Sequence, residues 1–269
     1  MTNAISFPKL GISLNLSPIA FSIGEKGIYW YALIILFGFL MGILIVSLDS
    51  EKRGLARENV LDIALYGIVA GILCARIYYV LFSLDEFKDD FWGVFRIWEG
   101  GLAIYGGIIG AVVSTLIYCK AKKLNVLNTF DVCCIGLLLG QSIGRWGNFV
   151  NCEVFGNPTD FILGMSINGA TPVHPLFLYE SLWSLLGVII LCILRNKKTR
   201  YGQIFCGYVL WYSVGRLVLE GMRDTKYILY VIPNILGISQ LVSALLIITA
   251  VAGLIYLRKT SKECLYVQK

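Results

Sequence analysis

A chain of 269 residues that is 57% hydrophobic and 15% charged, with mean hydropathy +0.75, is too apolar for a water-soluble domain and too ordered in composition for a disordered one. The formal net charge of +6 raises nucleic-acid binding as a question, and the distribution of basic residues answers it as a signal of membrane topology. What remains is an integral membrane protein.

The first apolar run, Ile28 to Leu48, has about the 20 residues needed to cross a bilayer core. No basic region or small-residue cleavage site marks it as a removable leader, so it reads as a retained helix. Further runs follow at Leu61 to Ser83, Gly101 to Cys119, Thr129 to Gly147, Pro175 to Leu194, Gln203 to Gly221 and Gly237 to Leu257. The expectation is an all-α polytopic membrane protein with seven transmembrane helices. Loops after the odd-numbered runs hold fourteen of the 23 lysines and arginines, among them Lys52, Lys122, Arg195, Lys198 and Lys269, against six on the opposite side. The positive-inside rule then puts the N-terminus outside and the C-terminus in the cytoplasm.

No linker, low-complexity stretch or internal repeat interrupts the chain, so residues 1–269 read as a single transmembrane domain. The two longest outer connections are the acidic, aromatic stretch Leu84 to Gly100 and the stretch Asn148 to His174, where short amphipathic or extended structure is expected. Glycines at 101, 106, 107 and 110, and at 136, 140, 144 and 147, sit on one helix face and permit close helix approach, with a ligand-facing cleft as the other reading. The eight cysteines, Cys152 and Cys264 among them, form no C-x-x-C pair, and the chain holds one histidine, His174. They read as packing residues, and no metal site is expected.

The three basic residues left inside runs are Arg76, Arg145 and Arg216. At 1.5 Å rise per residue Arg76 lies about 10 Å and Arg216 about 8 Å below the outer edge, while Arg145 is near it. Tyr31 and Tyr105 fall in the first turns of inward helices, and His174, Tyr179 and Glu180 open the fifth run. Polar groups from six of seven runs thus share the outer-leaflet level, whereas Asp62 and Asp131 at the inner side read as helix N-caps. Arginines at the level of lipid phosphates suit a phosphate or carboxylate. Two readings stay open for Arg216, an anion ligand or a partner of Glu220 one turn on, and Tyr212 and Arg223 belong to the same stretch. Arg76 is either an anion ligand or a structural partner of Glu153, Glu180 or a carbonyl. His174 is either a polar residue at a helix mouth before Pro175 or a proton-transfer group. An anion transporter and a lipid-binding structural protein compete with an enzyme at this point.

The stretch GRWGNFVNCEVFG at 144–156, with HPLFLYES at 174–181, YSVGRLVLEGMR at 212–223, GGLAIYGGIIGA at 101–112 and WYALIILFG at 30–38, resembles the bacterial prolipoprotein diacylglyceryl transferase family. The likeness runs in order along almost the whole chain. It implies transfer of the diacylglyceryl group of phosphatidylglycerol to the thiol of the lipobox cysteine of a prolipoprotein whose signal peptide is still attached, with glycerol 1-phosphate released. It also implies a multi-pass protein of the bacterial cell membrane that uses no metal or organic cofactor. By match to the family's motifs, Arg145 is the headgroup arginine, Asn148, Glu153 and Gly156 are signature residues, Arg216 is the second functional arginine with Tyr212 a turn before it, and Tyr31 is a functional tyrosine. Tyr105 stands where many relatives carry a histidine that has been considered a catalytic base.

On this reading Arg145 and Arg216 lower the thiol pKa and stabilise the leaving phosphate, Asn148 donates a neutral hydrogen bond and Glu153 orients an arginine. Tyr105 positions phosphate or acts as base, His174 has the better-matched pKa for proton transfer, and a thiolate held by arginines alone needs neither.

Overall fold

The computed structural model describes residues 2–24, 26–88, 90–197, 199–228, 230–232 and 236–263. Cys264, Lys198 and Lys269, which entered the cysteine and charge readings, lie outside the described residues. Seven long helices carry most of the chain: α1 (Trp30–Ser50), α2 (Arg57–Phe82), α3 (Ile104–Ala121), α4 (Val126–Val150), α5 (Leu176–Arg195), α6 (Gln203–Glu220) and α7 (Ile238–Thr260). Six are long and apolar enough to cross a membrane, namely all but α6. Gln203, Arg216, Glu220 and two glycines dilute the apolar content of α6. The chain is therefore a mostly helical, multi-pass membrane protein.

The helical runs read from sequence match these helices to within a few residues, but the expected first run starts too early. Ile28 belongs to a strand, and α1 begins at Trp30. Outside the helices the chain forms short strands, one of them in the connection from Asn148 to His174 where extended structure is expected. Strands β1 (Asn3–Phe7) and β2 (Ile12–Leu16) form an antiparallel hairpin, β3 (Ile19–Ile23) pairs with β4 (Lys26–Tyr29), and β5 (Ser166–Ile167) joins the free edge of β1. Two further short strands, β6 (Tyr230–Ile232) and β7 (Leu236–Gly237), pair before α7. The turn after β5 is Asn168–Gly169, both at positive φ (52° and 77°), the pair suited to a tight hairpin reversal.

Two compact units make up the described chain, one drawn from Met1–Val46 with Phe130–Tyr266, the other from Ser47–Thr129. In the first, α1 and α4 approach at backbone distance. A Cβ built on Gly42 would lie 2.7 Å from the Gly136 carbonyl oxygen, and one on Gly38 3.2 Å from Ile143 Cβ. Any side chain at Gly42 forces the helices apart, so these glycines serve packing. A buried cluster around Ile135, Leu138, Val188, Leu191, Ile204 and Tyr208 joins α4, α5 and α6. Ile5, Phe149, Met165 and Phe177 form a second cluster that seats the β1–β2–β5 sheet on the ends of α4 and α5. Asp131, fully buried, accepts hydrogen bonds from Gly202 N and Phe205 N at 2.7 Å each, capping α6 rather than its own helix.

In the second unit α2 packs along α3 through Gly106, Gly107 and Gly110. Tyr118 donates to Asp62 Oδ2 at 2.7 Å and lies 2.9 Å from Asn59 Oδ1, so Asp62 serves as a cross-helix acceptor in place of the expected cap.

Candidate active site

Two polar clasps bring three helices of the first unit to a fixed mutual position. Between α4 and α5, Ser142 Oγ donates to the Ser181 carbonyl (2.8 Å) and Trp146 Nε1 to Ser181 Oγ (3.1 Å). Between α5 and α6, Trp183 and Trp211 stack at 4.3 Å, and each indole N–H donates to the other's backbone carbonyl, at 3.0 and 2.9 Å. Gly187 and Gly215 sit directly beneath the two indoles, where a Cβ would collide. Such reciprocal bonds leave neither tryptophan free to turn.

The clasps hold Glu180, near the start of α5, among arginines from two directions. Arg145 Nε of α4 lies 2.6 Å from Glu180 Oε2, while Arg223 Nη2 and Arg216 Nη1 lie 2.9 and 3.3 Å from Oε1. Glu220, one turn beyond Arg216 on α6, stands 3.3 Å from Arg216 Nη2 and 3.1 Å from Arg223 Nε. Glu220 Oε2 and Arg223 Nε are buried without a well-directed hydrogen bond, so that pair is held by charge alone. Arg216 Nη2 also reaches Ser239 Oγ of α7 at 3.4 Å. Among the described residues three guanidinium groups face two carboxylates, which leaves the cluster with an excess of positive charge. The Glu180 side chain is 8% exposed, whereas Arg145 and Arg216 keep 25% and 21%. The two arginines thus present their outer edges to a cleft lined also by Gln141, Trp183, Tyr212 and Leu219. Pre-oriented guanidinium edges of this kind recognise phosphate or carboxylate. Of the two readings of Arg216, the pairing with Glu220 is the one observed, and the side chain also lines the cleft.

Glu153 departs from its expected role. Its Oε1 accepts from Asn148 Nδ2 at 2.9 Å and faces Asn151 Nδ2 at 3.5 Å, and among the described residues it forms no ion pair. Glu180 is the carboxylate that orients arginines. The sequence offers Glu180 as a polar group opening α5 and a partner of Arg76, and Arg223 as a neighbour of Arg216. The available signal was spacing: Glu220 lies four residues after Arg216 and three before Arg223, which puts one carboxylate within reach of both.

The chain leaves α4 through a Schellman motif, with Glu153 N donating to Asn148 O (3.0 Å) and Cys152 N to Phe149 O (3.1 Å). Cys152 occupies the left-handed position, φ 54°, where glycine is usual, and its side chain packs against the Ile5 cluster. Burial pushes its thiol pKa up, away from reactivity. Val154 is left-handed as well, φ 56°, a conformation that costs a β-branched residue on the order of 1–3 kcal/mol. Gly156 then passes between two backbones. Its N–H donates to His174 O (2.9 Å), and a Cβ there would sit 2.6 Å from Met222 O and 2.7 Å from His174 Cβ. Gly156 is thus required for close approach, with its N–H engaged by His174 O. His174 Nδ1 lies 3.3 Å from Tyr179 Oη, and burial lowers the imidazole pKa, which keeps the ring neutral at pH 7. Tyr31, in the first turn of α1, lays its ring on Gly147, where a Cβ would come within 2.7 Å of the ring.

In the second unit Arg76 is spent on backbone. Nε donates to Val94 O (2.8 Å), Nη1 to Gly100 O and Gly101 O (2.7 and 2.8 Å) and Nη2 to Gly93 O (2.6 Å). Four of five N–H groups are thereby used, and the guanidinium also lies 5.7 Å from the Tyr79 ring and 5.3 Å from the Phe87 ring. The carbonyl alternative for Arg76 is the one realised, and its assignment to substrate binding is corrected accordingly. Tyr105 stands in the first turn of α3 with half its surface exposed.

A family model described as prolipoprotein diacylglyceryl transferase matches residues 18–256. Among similar curated proteins, one from Shouchella clausii is 44% identical over 248 residues, covering 88% of this chain and 88% of the relative. One from Bacillus velezensis is 39% identical over 254 residues, 90% of this chain and 93% of the relative. A third, from Listeria monocytogenes serotype 4b, is 39% identical over 265 residues and covers 94% of each chain. All three are named phosphatidylglycerol–prolipoprotein diacylglyceryl transferase. The matched stretches contain every helix that builds the arginine cluster, and the chain belongs to the prolipoprotein diacylglyceryl transferase family.

Proposed function

We propose that the chain transfers the diacylglyceryl group of phosphatidylglycerol to the lipobox cysteine thiol of a prolipoprotein, as one seven-span domain of the bacterial cell membrane. Its N-terminus lies outside and its C-terminus in the cytoplasm, so that the arginine cluster opens at the outer leaflet. The observation that carries this reading is the set of three arginines gathered on Glu180 beside a cleft, with a surplus of positive charge for one phosphate. The span of the family match, residues 18–256, supports a single functional domain, and the distribution of basic residues supports the orientation.

In the reaction the substrate sulfur attacks the glyceryl carbon that bears the phosphate. A carbon–sulfur bond forms, the carbon–oxygen bond breaks, and its electron pair leaves on the phosphate oxygen as glycerol 1-phosphate. Arg145 and Arg216 bind that phosphate and stabilise the charge it gains. The same field favours the thiolate over the thiol, whose ordinary pKa is about 8.5. The thiol proton passes to solvent or to the released phosphate, with no strong base required. Asn148, its amide held by Glu153, donates a neutral hydrogen bond to the lipid headgroup. Tyr212 lines the same cleft. Tyr31 and Tyr105 are assigned to substrate positioning on the family resemblance, and His174 to the wall that carries Gly156.

The test is to incubate the purified protein in phosphatidylglycerol micelles with a lipobox peptide and follow the peptide by mass spectrometry. A diacylglyceryl mass gain is expected, absent with Arg145→Ala and absent with a cysteine-to-serine peptide. A folded protein that produces no gain refutes the assignment and returns anion transport to first place.

A further inference from the structure

Cys152 and Val154 bracket Glu153 with two left-handed residues in three positions, and only Cys152 packs into the apolar cluster around Ile5. Cys152 closes the Schellman turn and buries its side chain against the apolar cluster, as does Phe155 on the far side. Val154 is absent from that cluster, yet it is the β-branched residue, the type for which φ 56° is least tolerated. Val154 is half-buried, as Cys152 and Phe155 are. The backbone on either side imposes the left-handed conformation. Upstream, Glu153 N is tied to Asn148 O; downstream, Gly156 N is tied to His174 O, Asn157 N to Met222 O and Asp224 N to Phe155 O. Between these anchors the chain reverses at Val154 on its way to the His174 and Met222 backbones. The Glu153 carboxylate is folded back on Asn148 and Asn151 and out of any ion pair among the described residues.

We propose that Val154 is a positioning residue for the transferase reaction, whose left-handed backbone keeps Glu153 on the Asn148 amide and off the arginine cluster. The inference rests on the assignment of Asn148 to the lipid site made above. If Glu153 were released, it would cease to fix Asn148, and a third carboxylate would compete with phosphate for the arginines. Strain held by surrounding structure at a functional site is a known route to preorganisation.

The experiment measures kcat and KM for phosphatidylglycerol, with the lipobox peptide as acceptor, alongside a thermal midpoint for each variant. Val154→Gly accepts the left-handed region but also opens others. It is expected to keep its midpoint within a few degrees and to lose roughly tenfold in kcat. Val154→Asn, the non-glycine type that best tolerates positive φ, is expected to stay near wild type. In a double-mutant cycle, Glu153→Gln with Val154→Gly is expected to be no slower than Glu153→Gln alone. Val154→Ala replaces the glycine variant if the latter unfolds. Wild-type kinetics for Val154→Gly would overturn the proposal. So would an asparagine variant as slow as glycine, or a double variant that loses a further tenfold, since the side chain or another partner would then be responsible. Absence of transfer by the wild-type chain counts instead against the function proposed above, and removes this inference with it.

Discussion

Glu180→Gln is the sharpest perturbation of the arginine cluster, because it keeps the shape of the side chain and removes only its charge. Three guanidinium nitrogens from Arg145, Arg223 and Arg216 stand 2.6, 2.9 and 3.3 Å from the Glu180 oxygens, and the carboxylate is nearly buried. At an effective dielectric of 20, one unit pair at 4 Å is worth about 4 kcal/mol, and desolvation offsets much of that. Removing one partner of a buried pair typically costs about 3–5 kcal/mol, since the charges left behind lack compensation. Glutamine still offers one acceptor oxygen, so the lower part of that range, about 3 kcal/mol, is expected. For a chain of this size such a loss lowers the thermal midpoint by about 6–12 °C. Thermal unfolding in detergent gives that number, and the micelle assay gives kcat and KM for phosphatidylglycerol. The expected result is a destabilised protein with reduced kcat, because arginines repelled from one another no longer share a fixed orientation toward the leaving phosphate. Glu180→Asp, which keeps the charge, is expected to lie between. A glutamine variant within about 1 kcal/mol of wild-type stability, with unchanged turnover, would refute the role given to Glu180.

Arg76→Lys is expected to cost at least about 3 kcal/mol, because an ammonium lacks the planar fork that meets four carbonyls and each charged hydrogen bond is worth about 1.5–3 kcal/mol; a melting midpoint unchanged from wild type would show that the carbonyl cradle is not structural. Trp211→Phe removes one of the two reciprocal indole bonds and leaves the Trp183 carbonyl with its helical donor alone, for a loss of about 0.5–1.5 kcal/mol read by chemical or thermal unfolding. Because the clasp spaces Glu180 from Arg216, its kcat should fall as well, and full activity in a destabilised variant would separate packing from positioning. His174 has its pKa lowered by burial, so the unfolded chain binds its proton first as pH drops. Stability should be flat from pH 8 to 7, decline as pH falls below about 6.5, and level off below the folded-state pKa; His174→Gln should abolish that part of the decline.

Six spans could be found from apolar length alone, since a helix that crosses lipid must satisfy its backbone internally and its residues must tolerate hydrocarbon over about 20 positions. α6 also appears as a helix in both readings, although its polar content keeps it below the hydropathy of the others. Positions 145, 180, 216 and 220 stood out because charge within an apolar run is costly and so demands a reason. Their level in the membrane followed from helical rise. Which carboxylate meets which arginine did not, because ion pairing depends on helix rotation and on the clasps at Ser142–Ser181 and Trp183–Trp211, and no local pattern specifies these long-range contacts. Arg76 shows the limit most plainly. Its residue type is that of Arg216 and its expected depth is similar, yet it closes on carbonyls of Gly93, Val94, Gly100 and Gly101, in a loop whose path no local pattern specifies. The strands before α1 and the left-handed turn at Val154 were likewise illegible, since short β pairing and a strained φ arise from distant anchors rather than local propensity. Apolar length and motif spacing thus reveal the helical runs, the charged positions and the family, while the packing of the helices sets the partners, because burial makes each charge take the nearest compensating group that packing brings to it.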